Sequence, residues 1–388
     1  MGPHRILVTG AGGPGAVNLS RSLLLMRPQP WILAADASEH YIYLALGHER
    51  SRVPRADDPG YIDAINRLIG AHGINFVMPN NSIEIRVLSE ARHRLAAPVF
   101  LPSVEALDRA NSKWLSYQAF QAAGLPVPRT ELLRDRASLN SIFSSLQSAH
   151  EPKVWVRGAG IPGKGIGVAS LPCRTASQAE QWVEYWQGWG QMAASEYLPG
   201  DNLTWMGIFR DGQLVTSQGR RRLAYVIPHV SPSGITGAPA ISETISDDEV
   251  NRLGPLAVLA LDPSYTGVAF VDMKGDADNR PRITEVNAGR FGTTHFFYSA
   301  AGANFPEILL KVASGETLDL PLFDLLGAGL TWIRTLDAGP VLTTREAIEA
   351  GEFPSLDHNS SDWPRVPQSW ADFAQVAECG WPPSADGQ

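Results

Sequence analysis

The chain has 388 residues, more than one ordinary core organises, so two or three domains are expected. Hydrophobic residues make up 44% and charged residues 19%, a globular balance, and no apolar run approaches the ~20 residues that span a bilayer. A net charge of -8 argues against a nucleic-acid-binding surface, and Cys173 and Cys379, alone and far apart, make neither a disulfide scaffold nor a C-x-x-C metal site. The N-terminus, MGPHRILVTG, lacks a secretory pattern, and a reducing cytoplasm is the expected location.

Residues 5–105 alternate between strand and helix patterns. RILVTG, WILAAD and INFVMP read as strands, and 15–27, 59–72 and 82–95 as helices, which together predict an open parallel sheet with short connections. The first turn sets Gly10, Gly12 and Gly15 in G-x-G-x-x-G between strand and helix. Asp36 ends the next strand about where a ribose-binding acid belongs in a dinucleotide-binding unit. Any tight strand-to-helix turn also wants glycine. This loop carries no cation, and residues 80–95 hold no Tyr-x-x-x-Lys pair for hydride transfer. The expectation is therefore architecture, or a wall for a small acidic substrate, and no binding of NAD or NADP.

Residues 104–123 keep helical periodicity until Gly124 and two prolines stop it. A third section, 128–314, opens with the strand VWVR, the loop GAGIPGKGIG and a Trp-rich helix over 175–189. Strands MAASEYL, TWMGIFR and QLVTSQG follow, then a helix over 246–260 and the strands TGVAFVDM and PRITEVN. Trp182, Trp186 and Trp189 fall at helical spacing and read as packing residues.

Chemistry concentrates in this third section. Arg157 ends a strand, and the ten residues after it hold five glycines and Lys164. A flexible loop rich in N–H groups and carrying a cation suits covering a triphosphate. It is not a Walker loop, because Gly-Lys is not followed by Ser/Thr and a helix; a hairpin loop with incidental charge is the competing reading. Further on, Glu285 and Asn287 alternate around Val286 and so share one strand face. Asp272, in VAFVDM, joins them if the two strands pair antiparallel. Two carboxylates and an amide are hard oxygen donors of the kind Mg²⁺ takes while holding phosphates. A solvated face with ordinary acids is the alternative, but acids beside such apolar runs cost desolvation without a partner. Arg290 follows where a cation meets phosphate charge. GRRRLAY places Arg220 and Arg222 on one strand face and Arg221 on the other, either clamping a substrate carboxylate or γ-phosphate or forming a charged edge. His295 is read either as a substrate contact or as a structural histidine.

In this order the set resembles the ATP-grasp superfamily, nearest to the synthetase domains of carbamoyl phosphate synthetase and similar carboxylate–amine ligases, over roughly residues 5–315. The resemblance implies an α/β fold: a Rossmann-like preATP-grasp domain over 1–106, then a two-lobed α+β ATP-grasp domain. Its lobes would be 107–191, with the glycine-rich flap, and 192–320, with the metal site; 321–388 would be an extension of unknown role. ATP and Mg²⁺ are the implied cofactors. Lys113 resembles the first phosphate-contacting basic position, and Arg157 stands where most members have lysine. Gly163, Lys164 and Gly165 match the flap. Glu196, Tyr197 and Leu198 match the hinge whose backbone binds adenine, and Asp201 or the adjoining Asn202 the ribose position. Asp272, Glu285 and Asn287 match the magnesium ligands. Arg290 matches the catalytic arginine, assisted by Arg157 and Lys164, although E-V-N-A-G-R displaces it by one residue from the usual E-[IV]-N-P-R. PNNS stands where relatives often have an acid. The implied activity joins a small-molecule carboxylate to an amine through an acyl phosphate, releasing ADP and phosphate. Carbamate or bicarbonate activation and a catalytically inactive nucleotide-binding regulator are the alternatives. No nucleic-acid or membrane partner is expected, and a homodimer is compatible with the reading.

Overall fold

The computed structural model describes residues 4–147, 151–161, 169–235 and 237–335. Gly163, Lys164 and Gly165, and the extension beyond 335, lie outside the described residues.

Strands β1 (Arg5–Thr9), β2 (Trp31–Asp36), β3 (Glu49–Arg52) and β4 (Phe76–Pro79) form a parallel sheet in the order β3-β2-β1-β4. The near-continuous apolar runs of β1, β2 and β4 fit a sheet covered on both faces. Ile6, Val8, Ile32 and Ala34 pack with α1 (Pro14–Leu24), and Leu7, Leu33 and Val77 with α2 (Tyr61–His72) and α3 (Ser82–Glu90).

The helix expected over 104–123 is two helices, α4 (Val104–Asn111) and α5 (Lys113–Ala122). Ser112 breaks it in an extended conformation (φ -97°, ψ 109°), and its side chain accepts the Leu115 N–H, as an N-cap does. The Trp114 N–H then bonds the Ala159 carbonyl at 3.0 Å, fixing the start of α5 against the next sheet. That sheet is antiparallel and built from β5 (Thr130–Leu133), β6 (Val154–Gly158), β7 (Leu171–Cys173) and β8 (Met192–Glu196), in the order β5-β8-β6-β7. Helices α6 (Leu139–Leu146) and α7 (Ala176–Tyr185) supply its core. Because β8 belongs here, the sheet runs past residue 191, where the sequence put a lobe boundary.

The third sheet has six strands: β9 (Asn202–Arg210), β10 (Gln213–Tyr225), β11 (Pro239–Ile245), β12 (Gly267–Gly275), β13 (Pro281–Ala288) and β14 (Thr331–Ile333). They lie antiparallel in the order β13-β12-β9-β10-β11-β14. Helix α8 (Asp248–Leu261) packs on one face, sharing a core with α2 and α3; α9 (Phe296–Ala300) and α10 (Phe305–Ala313) share the core of α1. The register sets Arg220 opposite Thr204, Thr204 opposite Asp272, and Asp272 opposite Glu285. One row across four strands therefore carries the polar side chains of the site.

Candidate functional site

A cavity of about 810 Å³ opens between the three sheets. Its wall takes Gly10, Gly13 and Gly15 from the first turn, Trp155 and Arg157 from β6, Tyr197 and Leu198 after β8, and Asp272, Glu285, Asn287 and Arg290 from β12, β13 and the turn after it.

The acid corner follows from the register. Asn287 Nδ2 donates to Glu285 Oε1 at 3.2 Å and to Asp272 Oδ2 at 3.5 Å, so all three side chains converge. Asn287 Oδ1 accepts from the Arg290 guanidinium at 2.9 Å, which brings the displaced arginine back to the acids. Thr204 Oγ1 donates to Asp272 Oδ1 at 3.0 Å, and Arg222 donates to the same oxygen. Arg157 lies with its guanidinium 4.0 Å from Glu285 Oε2 and donates to the Thr284 carbonyl at 3.1 Å. Lys113 Nζ stands 3.6 Å from Glu285 Oε2, although Lys113 is not in the cavity wall. Burial alone would raise the Glu285 carboxyl, but Lys113 and Arg157 outweigh it and hold the group below its ordinary value. A carboxylate kept ionised is what a cation ligand requires.

Among the described residues no group of three or more His, Cys, Asp or Glu side chains is placed to hold a metal ion. An ion here would draw its third protein ligand from the Asn287 amide. The donor set of two carboxylates and an amide fits Mg²⁺, provided the amide turns its oxygen toward the acids; which amide atom faces them is set by the hydrogen-bond network.

The hinge side is aromatic. The Trp155 and Tyr197 rings lie 6.4 Å apart, and Lys153 Nζ sits 4.4 Å from the Tyr197 ring centre. The Glu196 carboxylate is taken by Arg129, accepting from its backbone N–H at 3.0 Å and its Nε at 2.8 Å. The Glu196 N–H is also taken, by the Arg129 carbonyl at 2.9 Å, so the backbone that follows, at Tyr197 and Leu198, is the part that lines the cavity beyond the strand.

Two expected residues are placed elsewhere. Asp201 is not in the wall: its carboxylate pairs with Arg221 at 2.9 Å and accepts from Asn279, and Asn202 lines the cavity instead. His295 is fully buried behind the wall, with Nδ1 on the Gly292 carbonyl at 2.6 Å. Burial drives its pKa down to about 4, so it is a neutral packing residue here. Arg220 and Arg222, on one face of β10, both line the cavity, and only Arg222 is bound to Asp272 and Thr204.

Sequence reasoning missed Phe270 and Lys274, which flank Asp272 at a spacing of two along β12 and line the cavity with it. Period-two alternation could have found both. Thr204 and Asn80 were also missed. Thr204 needs the strand order to be known, and Asn80 reaches the wall because its Oδ1 accepts the Phe291 N–H at 2.9 Å.

The first glycine loop is tied up in its own geometry. Asp36 accepts the Gly12 N–H on one oxygen and the Ser38 N–H on the other, each at 2.8 Å. A Cβ on Gly12 would lie 2.0 Å from the Tyr41 carbonyl oxygen, and one on Gly15 would lie 2.6 Å from Asn80 Nδ2.

A parallel N-terminal sheet followed by two antiparallel sheets around one cleft is the ATP-grasp fold, and this chain has it. The biotin carboxylase domain of 2-oxoglutarate carboxylase from Hydrogenobacter thermophilus, solved with MgADP, ADP and bicarbonate, is similar at a TM-score of 0.60 and 13% identity, over 82% of this chain and 71% of that one. N5-carboxyaminoimidazole synthetase from Staphylococcus aureus gives 0.60 and 14%, over 84% and 80%. L-amino acid ligase from Bacillus licheniformis gives 0.58 and 15%, over 82% and 79%. No protein-family model matches the sequence, and no curated protein matches it significantly. At these identities the likeness is one of fold alone.

Proposed function

We propose that the chain is an ATP-dependent ligase that joins a carboxylate to an amine through an acyl phosphate. The observation that carries this reading is the acid corner: Asp272, Glu285 and Asn287 converge within reach of Arg157, Arg290 and Lys113, in a cavity that Trp155, Tyr197 and Leu198 also line. ATP with its adenine against the backbone of Tyr197 and Leu198 would direct its phosphates toward that corner, with Asn202, rather than Asp201, nearest the ribose. Asp272, Glu285 and Asn287 would hold Mg²⁺, which supplies charge neutralisation on the phosphates when bound.

Phosphoryl transfer asks mainly for positioning and electrostatics. A substrate carboxylate oxygen attacks the γ-phosphorus, the bond to the bridging oxygen breaks, and ADP leaves. Arg157 and Arg290 face that charge, and Lys164, in the glycine-rich loop, would close over it. The amine then attacks the acyl carbon and phosphate departs. No side-chain nucleophile is required. In this reading the chain divides into 1–106, 107–191 and 192–320, with the sheet of the first grasp lobe carried past 191 by β8.

Bicarbonate or carbamate activation is the second reading, favoured by the fold likeness to a biotin carboxylase domain bound to bicarbonate. That domain is described as a dimer, and a homodimer is open to light scattering here. No helix among the described residues is long and apolar enough to cross a membrane, and Cys173 is buried and free, which is compatible with a reducing cytoplasm. The deciding experiment pairs candidate acids and amines and follows ADP. With ¹⁸O in the carboxylate, one label should reach the released phosphate. Labelled AMP would refute phosphoryl activation, and ADP formation driven by bicarbonate alone would favour the second reading.

A further inference from the structure

Arg220 and Arg222 leave β10 on the same face, yet their environments are opposite. Arg222 is committed to Thr204 Oγ1, at 2.8 Å, and to Asp272. Arg220 is 4% exposed and lines the cavity, and neither its Nε nor its Nη1 has a hydrogen-bond partner. Its guanidinium carbon leans over Phe270, 5.8 Å from the ring centre. The groups that act on it are Tyr298, Arg222, Asp272 and Arg334, and the one acid among them, Asp272, is already bonded to Arg222. The Tyr298 hydroxyl beside it is held neutral, because burial pushes its pKa up, and so supplies no counter-charge. A desolvated guanidinium without a counter-ion is strongly unfavourable, and well-packed apolar side chains often replace buried charges at no loss. The same cavity receives the start of α1, whose Gly15 packs on the Phe291 carbonyl while Gly292 packs on the Phe270 ring under Arg220; its N-cap Gly13 gives no side-chain cap and its first turn holds no acid. Such a helix end favours an anion.

We propose that this end of the cavity, Arg220 with the first turn of α1, binds a substrate carboxylate that takes no part in the reaction. The proposal deepens the ligase reading and rests on it for the other end, where the acid corner would occupy the phosphates and the reacting carboxylate. Arg220 stands on β10, two strands from Asp272 on β12, and Arg222 alone takes the bond to that acid, which leaves Arg220 for a second anionic group of a small molecule. The carboxylate belongs either to a dicarboxylic acid that is activated at its far end, or to an amino acid that supplies the amine.

The test uses the full chain without nucleotide, with succinate and L-alanine as probes, in the wild type, in Arg220→Met and in Arg220→Gln as a second, polar variant. Arg220→Met should raise the Tm of the ligand-free protein, because it removes a buried charge that has no partner. Succinate or L-alanine should raise the wild-type Tm, and its affinity should fall at least tenfold in both variants, with MgADP affinity held within twofold. Binding of succinate assigns the carboxylate to the acid substrate, and binding of L-alanine to the amine substrate. The proposal is overturned if neither probe binds the wild type, if binding is unchanged in the variants, or if Arg220→Met lowers the Tm. It is also overturned if the variants weaken a non-hydrolysable ATP analogue tenfold but spare ADP, which would put Arg220 on the γ-phosphate. Failure of the wild type to bind MgADP would instead refute the ligase reading, and the nucleotide-free titration would still judge Arg220.

Discussion

Replacing Glu84 by Gln should stabilise the protein at pH 8 and have little effect near pH 5. Glu84 is 5% exposed in α3, with Thr9 Oγ1 donating to its carboxyl at 2.9 Å. Burial, with a smaller push from Asp36, lifts its pKa from 4.5 to about 7 against the hydrogen bond from Thr9. Between these values the folded chain keeps a proton that the unfolded chain has released. The stabilisation is therefore complete below 4.5 and is lost as pH rises through about 7. At ~1.36 kcal/mol per pH unit the whole interval corresponds to about 3 kcal/mol, most of it falling between pH 5 and pH 8. Gln keeps the acceptor for Thr9 and cannot ionise. Any fixed offset from its extra N–H cancels when the two pH values are compared. Urea unfolding followed by tryptophan fluorescence, on wild type and variant at both pH values, gives the difference directly. A variant-minus-wild-type stability that does not grow by about 2 kcal/mol from pH 5 to pH 8 would mean that Glu84 is ionised in the folded protein, and the argument from burial would be wrong.

At the acid corner, Glu285→Gln should lower ATP turnover at least ~100-fold at saturating Mg²⁺, since it removes charge and keeps shape; near-normal turnover would remove Glu285 from the ligand set. Asp272→Asn should lower turnover as much and also cost about 3 kcal/mol in urea unfolding, because it strips Arg222 of its buried counter-charge. Arg290→Ala should reduce hydroxamate formation from trapped acyl phosphate by more than it weakens ATP binding; equal losses would make it a binding residue only. Fluorescence titration should find no tight binding of NAD or NADP, and a dinucleotide complex abolished by Asp36→Ala would reverse the reading of the first loop.

Legibility followed whether the signal was local. Strands β1, β2 and β4 announce themselves because burial on both faces leaves continuous apolar runs. Strand β3, ERSR, is an edge strand with charged side chains and gives no apolar pattern to read. The pairing of Asp272 with Glu285 could be anticipated because β12 and β13 are joined by a short turn, although the register shift between Asp272 and Met273 could not. The pairing of Asp272 with Arg222 could not: it requires β9 to lie between β12 and β10, and strand order is not written in any one segment. The break at Ser112 was hidden for a similar reason. Both halves are helical in pattern, and the break is anchored by a hydrogen bond to Ala159, far along the chain.

The G-x-G-x-x-G turn illustrates how one local pattern serves two architectures. Its third glycine, Gly15, lets α1 approach so closely that a methyl group there would meet Asn80 Nδ2 at 2.6 Å and the Phe291 carbonyl at 3.1 Å. Asn80 in turn accepts the Phe291 N–H, and Asn18, one turn further along α1, donates to the Thr293 carbonyl at 2.6 Å. The loop they hold, 291–293, begins immediately after Arg290. Helix α1 and the end of β4 thus act as a bracket on the segment that carries the arginine of the acid corner. A dinucleotide fold uses such glycines to admit a pyrophosphate. Here the same close approach admits another part of the chain, and Gly12 and Asp36 satisfy each other. The first sheet therefore contributes to the site by fixing the position of Arg290 and by presenting the open end of α1 to the cavity, and in the proposed ligase reading the nucleotide is left to the two sheets that follow.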